Sequence, residues 1–193
     1  MRSIDRVKEE IEATIARSSV PEDPLHSRNT LEWLLRLDPG ADEALRIAAL
    51  GHDIERAVEG RKVRREDFTD FDEFKAAHAE RSAVVLGEIM AACGVDREMA
   101  EDVCRLVRLH EVGGDPRSDL LKDADAISFF DVNLPLYLER NGRSEAMRRA
   151  VWGFRRLSAR AREAVAAMSH GDLELDGLLR EVMGKGGGGE TSG

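Results

Sequence analysis

Cysteine and aromatic residues are scarce in this chain, positive charge is outnumbered by negative, and each of these excludes something. The two cysteines, Cys93 and Cys104, lie in separate helical stretches without CxxC spacing. They read as small core residues rather than as a disulfide or a zinc knuckle. One tyrosine and two tryptophans offer no aromatic platform for a base, and Phe68, Phe71, Phe129 and Phe130 read as core. No run approaches the roughly 18 consecutive apolar residues that a membrane span requires. The first residues, MRSIDRVKEEIEATIARSS, are too charged for a secretory signal, so a cytoplasmic location without membrane contact is expected. A net charge of −9 argues against non-specific nucleic-acid binding, because polyanions are captured by basic surfaces. A small anionic substrate stays open to such a chain if cations or a metal are placed locally.

What is present is helical pattern. With 193 residues, 42% hydrophobic and 35% charged, the chain has the balance of one globular domain able to bury its own core. Ile4, Val7, Ile11 and Ile15 form one face of a first helix. Leu31, Leu34, Leu35 and Leu37 follow the turn VPEDP, and Ala44, Leu45, Ile47, Ala48 and Ile54 follow DPGADE. Residues 71–92 and 96–111 read as two more helices, with Gly94 suited to end the first and Asp96 to cap the second. Another helical region begins near Ser118 and bends near Pro135. From Arg143 to Met168, apolar residues at 147, 151, 154, 157, 161, 165 and 168 predict one long helix. Its stripe reads as intramolecular core, with a seam between two copies of the chain as the alternative. A short last helix follows HGD at 170–172, and the Gly-rich residues 184–193 read as a flexible tail. No alternating strand or internal repeat is present. The expectation is an all-α single domain over 1–183, with a motif core at about 20–135 and C-terminal helices at 143–183.

The chemistry rests on five histidines: His26, His52, His78, His110 and His170. The first four fall near the ends of four successive predicted helices, and two carry acidic neighbours, as His52–Asp53 and His110–Glu111. Imidazoles and carboxylates converging from several helices are how a helical bundle builds a metal site, and the mixture suits divalent transition ions. Asp125, in LLKDADAISFF, adds a carboxylate among apolar neighbours, where it needs a cation or hydrogen-bonding partners. His170, beside Gly171 at a helix end, is explained as a C-terminal cation.

The ordered set H…HD…H…H…D resembles the HD-domain superfamily of metal-dependent phosphohydrolases. The contexts LHSRNTLEWL around His26, ALRIAALGHDIER around His52–Asp53, and KDADAISFFD around Asp125 carry the likeness over roughly residues 20–135. The resemblance implies a helical-bundle HD-type domain and selects Asp125 over Asp123 as ligand. FKAAHAERSAVVLGEI is similar to the third motif of members that hold two metals, with small residues Ser82 and Ala83 one turn after His78. His110 then takes the place of a further ligand. In such members the aspartate of the His-Asp pair bridges both ions, so the resemblance implies a metal set of His26, His52, Asp53, His78, His110 and Asp125. A single ion, with His78 and His110 donating to a substrate phosphate, is the rival arrangement. Manganese, iron, magnesium, zinc and nickel are not distinguished by these ligands.

Metal chemistry needs no nucleophilic side chain, and the chain has neither GxSxG nor a P-loop. Asp53, Arg56, Lys122 and Glu55 are the candidate catalytic residues. Arg56 lies one helical turn after His52 where the family often has lysine, and Lys122 precedes the DAD motif. Glu55 either activates water or pairs with Arg56. Arg61, Lys62, Arg64 and Arg65 form a basic loop that either grips phosphate or is solvated surface. The expected function is hydrolysis of a small phosphate ester such as a nucleotide. The alternatives are a di-iron oxygenase with the same six ligands and a non-catalytic module that binds metal and nucleotide.

Overall fold

Local chemistry sets most of the element boundaries. In the computed structural model, which describes residues 2–186, helix α1 (Ser3–Ile15) buries Val7, Ile11 and Ile15, the face its three- and four-residue spacing predicts. Helix α2 (Asp23–Leu37) has Pro24 in its first turn, where a missing N–H is harmless. Asp42 caps α3 (Glu43–Gly51) by accepting the Leu45 N–H at 2.9 Å. Asp70 does the same for α4 (Phe71–Ala92) with the N–H groups of Asp72 and Glu73. Gly94 turns the chain after α4 with φ of +73°, a conformation other residues rarely adopt. Asp96 then caps α5 (Arg97–Leu109) through the Met99 N–H at 2.9 Å, as the sequence predicts. Helix α6 (Pro116–Ser128) follows. No strand occurs among the described residues, and the fold is all-α.

The chain forms two compact units, one ending at Asp125 and the next beginning at Ala126. In the first, α3 is the central element. Every residue from Ala44 to Gly51 except Arg46 is buried, and α3 packs on α1, α2 and α5, while α4 lies along α5. Burial of side chains such as Leu45, Ile47 and Leu50 is worth about 1.5–3 kcal/mol each. Two contacts fix the last turn of α3. The Ser27 hydroxyl of α2 donates to the Leu50 carbonyl at 2.6 Å. Gly51 lets α4 come close, because a Cβ there would stand 2.5 Å from a methyl of the fully buried Leu86.

The second unit corrects the reading of one helix over Arg143–Met168. Helix α7 (Leu134–Arg155) is interrupted at Gly142 (φ 76°, ψ 166°), and a separate α8 (Ala159–Ala166) begins on Ser158, whose hydroxyl accepts the Ala161 N–H at 3.2 Å. The apolar stripe continues across the junction because Leu157 is buried in the turn itself; periodicity alone could not reveal the Ser158 cap. The bend expected near Pro135 is a π-helical turn at Phe129–Asn133, which widens the backbone just before the proline ring would meet the preceding carbonyls. Phe130 is core as expected, whereas Phe68, Phe71 and Phe129 stay half-buried. Helix α9 (Leu173–Gly186) takes in the first three residues of the predicted tail, and 187–193 lie outside the described residues. Cys93 and Cys104 are free thiols.

Gly51→Ala is expected to destabilise the protein by about 1–3 kcal/mol, the usual cost of overpacking a filled core. Gly87→Ala in α4, whose Cβ would meet only the Cys104 sulfur at 3.4 Å, is the tolerated control. Denaturant melts of the two variants test this; equal stabilities would show that the α3–α4 contact can relax freely.

Candidate metal centre

Helix ends build this site. His52 follows α3 and His110 follows α5, each as the C-cap residue. A helix end leaves carbonyls without intrahelical partners. Each imidazole answers one of them three residues back: His52 Nδ1 donates to the Ala49 carbonyl at 2.9 Å, and His110 Nδ1 to the Val107 carbonyl at 2.7 Å. Since a carbonyl can only accept, each ring carries a proton on Nδ1, and its neutral form presents a bare Nε2. His78, inside α4, lies between two carboxylates, with Nδ1 2.7 Å from Glu55 Oε1 and Nε2 2.7 Å from Asp53 Oδ1. His26 stands in the first turn of α2. All four imidazoles are no more than 5% exposed.

The Nε2 atoms converge on two carboxylates. His26 and His52 lie 3.0 and 3.3 Å from Asp125 Oδ1 and 3.3 Å from each other. Donors held about 2.0–2.2 Å from one ion stand roughly 3–3.5 Å apart, so this triangle has the dimensions of a metal-ligand set. Asp53 Oδ1 lies 2.7 Å from His78, 3.7 Å from His52 and 3.8 Å from His110, and its Oδ2 lies 3.9 Å from His26. One carboxylate thus faces all four rings. Among the described residues, three groups of side chains are placed so that they could hold a metal ion: His26, His52 and Asp125; Asp53, His78 and His110; and His110, Glu111 and Asp125. His110 Nε2 gives the sharpest sign that the donors fit a cation, being fully buried and without a hydrogen-bond partner. A lone pair left so is costly unless a positive charge faces it.

The electrostatics agree. Burial disfavours the charged form of His52, but Asp53 and Asp125 outweigh it and push the ring up to about 9. His78 likewise rises to about 9, burial being overcome by Asp53 and Glu55. Burial works against the Asp53 carboxylate, yet His52, His78 and Arg56 hold it well below the usual range; His52 and His26 do so for Asp125.

The other sequence candidates are placed as follows. Arg56, expected to face a phosphate, lies between two carboxylates, with NH1 2.7 Å from Asp53 Oδ2 and NH2 3.0 Å from Asp23 Oδ1. Asp23 is buried, and burial raises its pKa. Glu55 does not hydrogen-bond Arg56; its oxygens accept from His78 and from the Val63 N–H at 2.9 Å, behind the His78 ring. Lys122 pairs with Asp119 at 3.6 Å. In the basic loop Arg61 pairs with Glu88, Arg64 with Glu66, and Arg65 donates to the Phe68 carbonyl. Asp123 is buried on the same helix as Asp125, but it is Asp125 that meets His26 and His52. His170 belongs to none of the three donor groups.

The model of a family described as a domain of unknown function (DUF4202) matches residues 2–176. The chain belongs to this family. The match takes in all six clustered histidines and aspartates. No curated protein and no solved structure matches the chain. Asp23 gave no signal in the sequence, since only folding brings it to Arg56. Glu111, the acidic neighbour of His110 in the sequence, is outside the implied ligand set yet lies in one of the donor groups.

In metal-free protein the raised His52 and His78 stabilise the fold fully below their ordinary value of 6.5, and that contribution is lost as pH climbs through about 9. The Tm of chelator-treated protein is therefore expected to fall between pH 6.5 and 9. A flat or rising Tm across that window would mean that these rings are neutral in the metal-free fold. Asp125→Ala is expected to remove bound metal while Asp123→Ala retains it; the reverse order in metal analysis would exchange their roles.

Proposed function

We propose that this protein is a metal-dependent phosphohydrolase of the HD type, acting on a small phosphate ester. The observation that carries the reading is Asp53 Oδ1 and Oδ2 lying among four imidazoles, with His26, His52 and Asp125 on one side and His78 and His110 on the other. That division suits two divalent ions sharing one carboxylate, the arrangement implied by the resemblance of H…HD…H…H…D to HD proteins. Bound there, such ions would lower the pKa of a water and screen the charge of a phosphoryl group.

The chain's own residues do the rest by position. Arg56 is a positioning residue: held by Asp23 on one side, it fixes Oδ2 of Asp53 and turns Oδ1 toward the rings. Glu55 orients His78 through Nδ1, as carboxylates behind ligating histidines do. Phe74 lies over the His78 ring, their centroids 6.3 Å apart, and limits its rotation. The rings are closed off, whereas the Asp53 and Asp125 side chains keep 16% and 19% exposure. Substrate therefore approaches on the carboxylate side, where its negative charge is acceptable only once cations are bound.

Metal analysis of the purified protein, followed by a hydrolysis screen over nucleotides, sugar phosphates and model diesters with and without chelator, tests the reading. About two ions per chain and chelator-sensitive phosphate release are expected. The double variant His78→Ala with His110→Ala is expected to bind about one ion and to lose most turnover, since one of the paired charges would be gone. A wild-type protein that saturates at one ion, with the double variant unchanged in stoichiometry, rules out the paired site. Turnover that demands iron and oxygen, with no phosphate released, replaces hydrolysis by oxygenase chemistry. Intact nucleotide bound by metal-loaded protein makes it a binding module.

A further inference from the structure

Resting on the metal-centre reading above, we propose that Glu111 is a seventh ligand of that centre, with the Lys75 ammonium covering its donor oxygen until a cation arrives. Glu111 is 7% exposed and directly follows His110, in the same relation that Asp53 bears to His52 at the end of α3. Its Oε1 lies 3.4 Å from His110 Nε2, and Asp53 Oδ1 lies 3.8 Å from that same nitrogen. With the neutral ring's proton committed to the Val107 carbonyl, the nitrogen meets these oxygens lone pair to lone pair. Such a contact is repulsive unless positive charge enters it. His110 Nε2, buried and without a hydrogen-bond partner, points to where that charge belongs.

Lys75 supplies a charge of the right sign on the other side. Reaching over from α4, its Nζ ion-pairs with Glu111 Oε1, the same oxygen that faces His110. The ammonium is a monovalent stand-in placed beside the donor group rather than inside it. A divalent ion held by His110 and Glu111, with Asp125 completing the set, competes with Lys75 for that oxygen. Charge balance favours the exchange. Two divalent ions facing only Asp53 and Asp125 leave two positive charges uncompensated in a buried site, and Glu111 removes one of them.

The prediction has opposite signs at the two residues, which a purely structural ion pair does not give. Full-length protein stripped by chelator is titrated with cobalt(II) while the visible absorption of the bound ion is recorded. Relative to wild type, Glu111→Gln is expected to weaken the second cobalt equivalent by about 10-fold or more, in the range known for perturbed metal shells, and to change its absorption band because a ligand oxygen is altered. Lys75→Gln is expected to tighten the same equivalent and leave the band in place. Glu111→Asp, which keeps the charge but shortens the reach, is expected to alter the band as well. If both single Gln variants shift affinity in the same direction, or if Glu111→Gln leaves band and affinity at wild-type values, Glu111 is not a ligand. Should Glu111→Gln fail to fold, Lys75→Gln decides: tightening supports the exchange, and weakening or no change overturns it. Wild-type protein that takes up no cobalt overturns the metal centre itself, an outcome distinct from wild-type uptake with indifferent variants.

Discussion

One hydrogen bond, made twice, governs the candidate metal centre: an imidazole at a helix end gives its Nδ1 proton to the carbonyl three residues back. The bond satisfies a helix terminus that would otherwise be buried with an unpaired acceptor. It also decides the tautomer of the ring and aims Nε2 away from its own helix. Because α3 and α5 pack together and end in the same way, the Nε2 atoms of two imidazoles and two following acids, Asp53 and Glu111, arrive in one place. Secondary-structure completion and ligand presentation are the same event.

Packing then holds that arrangement to the precision it needs. The last turn of α3 is gripped by Ser27 of α2 and pressed against Leu86 of α4 through the missing Cβ of Gly51. Ser82, also on α4, is fully buried and receives the Glu55 N–H at 3.5 Å, so a small residue one turn after His78 makes room for the segment that carries Asp53 and Glu55. These contacts are individually modest. Together they place donors from five segments within one site.

The charge arrangement explains why so many acids tolerate burial. Asp23 and Asp53 share Arg56, Glu55 faces His78 and Val63, and Glu111 has Lys75, whose charge does most to offset the cost of burial and hold its pKa down to about 2. Each of these acids is matched by a fixed donor or cation, and His110 Nε2 is left without a hydrogen-bond partner. The cluster is balanced apart from that position.

The sequence by itself determined whatever depends on local spacing. Helical periodicity, the Asp96 cap and Gly94 located α1, α3, α4 and α5 to within a few residues, because a cap or a left-handed turn is chosen by the residues at the turn. The histidines and aspartates that meet in space could be named for the same reason, each carrying its chemistry in its own side chain. Only the tertiary structure decided what those side chains do to one another. It put Arg56 between Asp53 and Asp23 rather than facing outward, and Glu55 behind His78. It brought Lys75 of α4 to Glu111 after α5. These outcomes depend on atoms far apart in sequence meeting at hydrogen-bond range, as the separations of 23 for Glu55–His78 and 36 for Lys75–Glu111 illustrate. Spacing along a helix reaches only a turn or two; beyond that, packing chooses the partner.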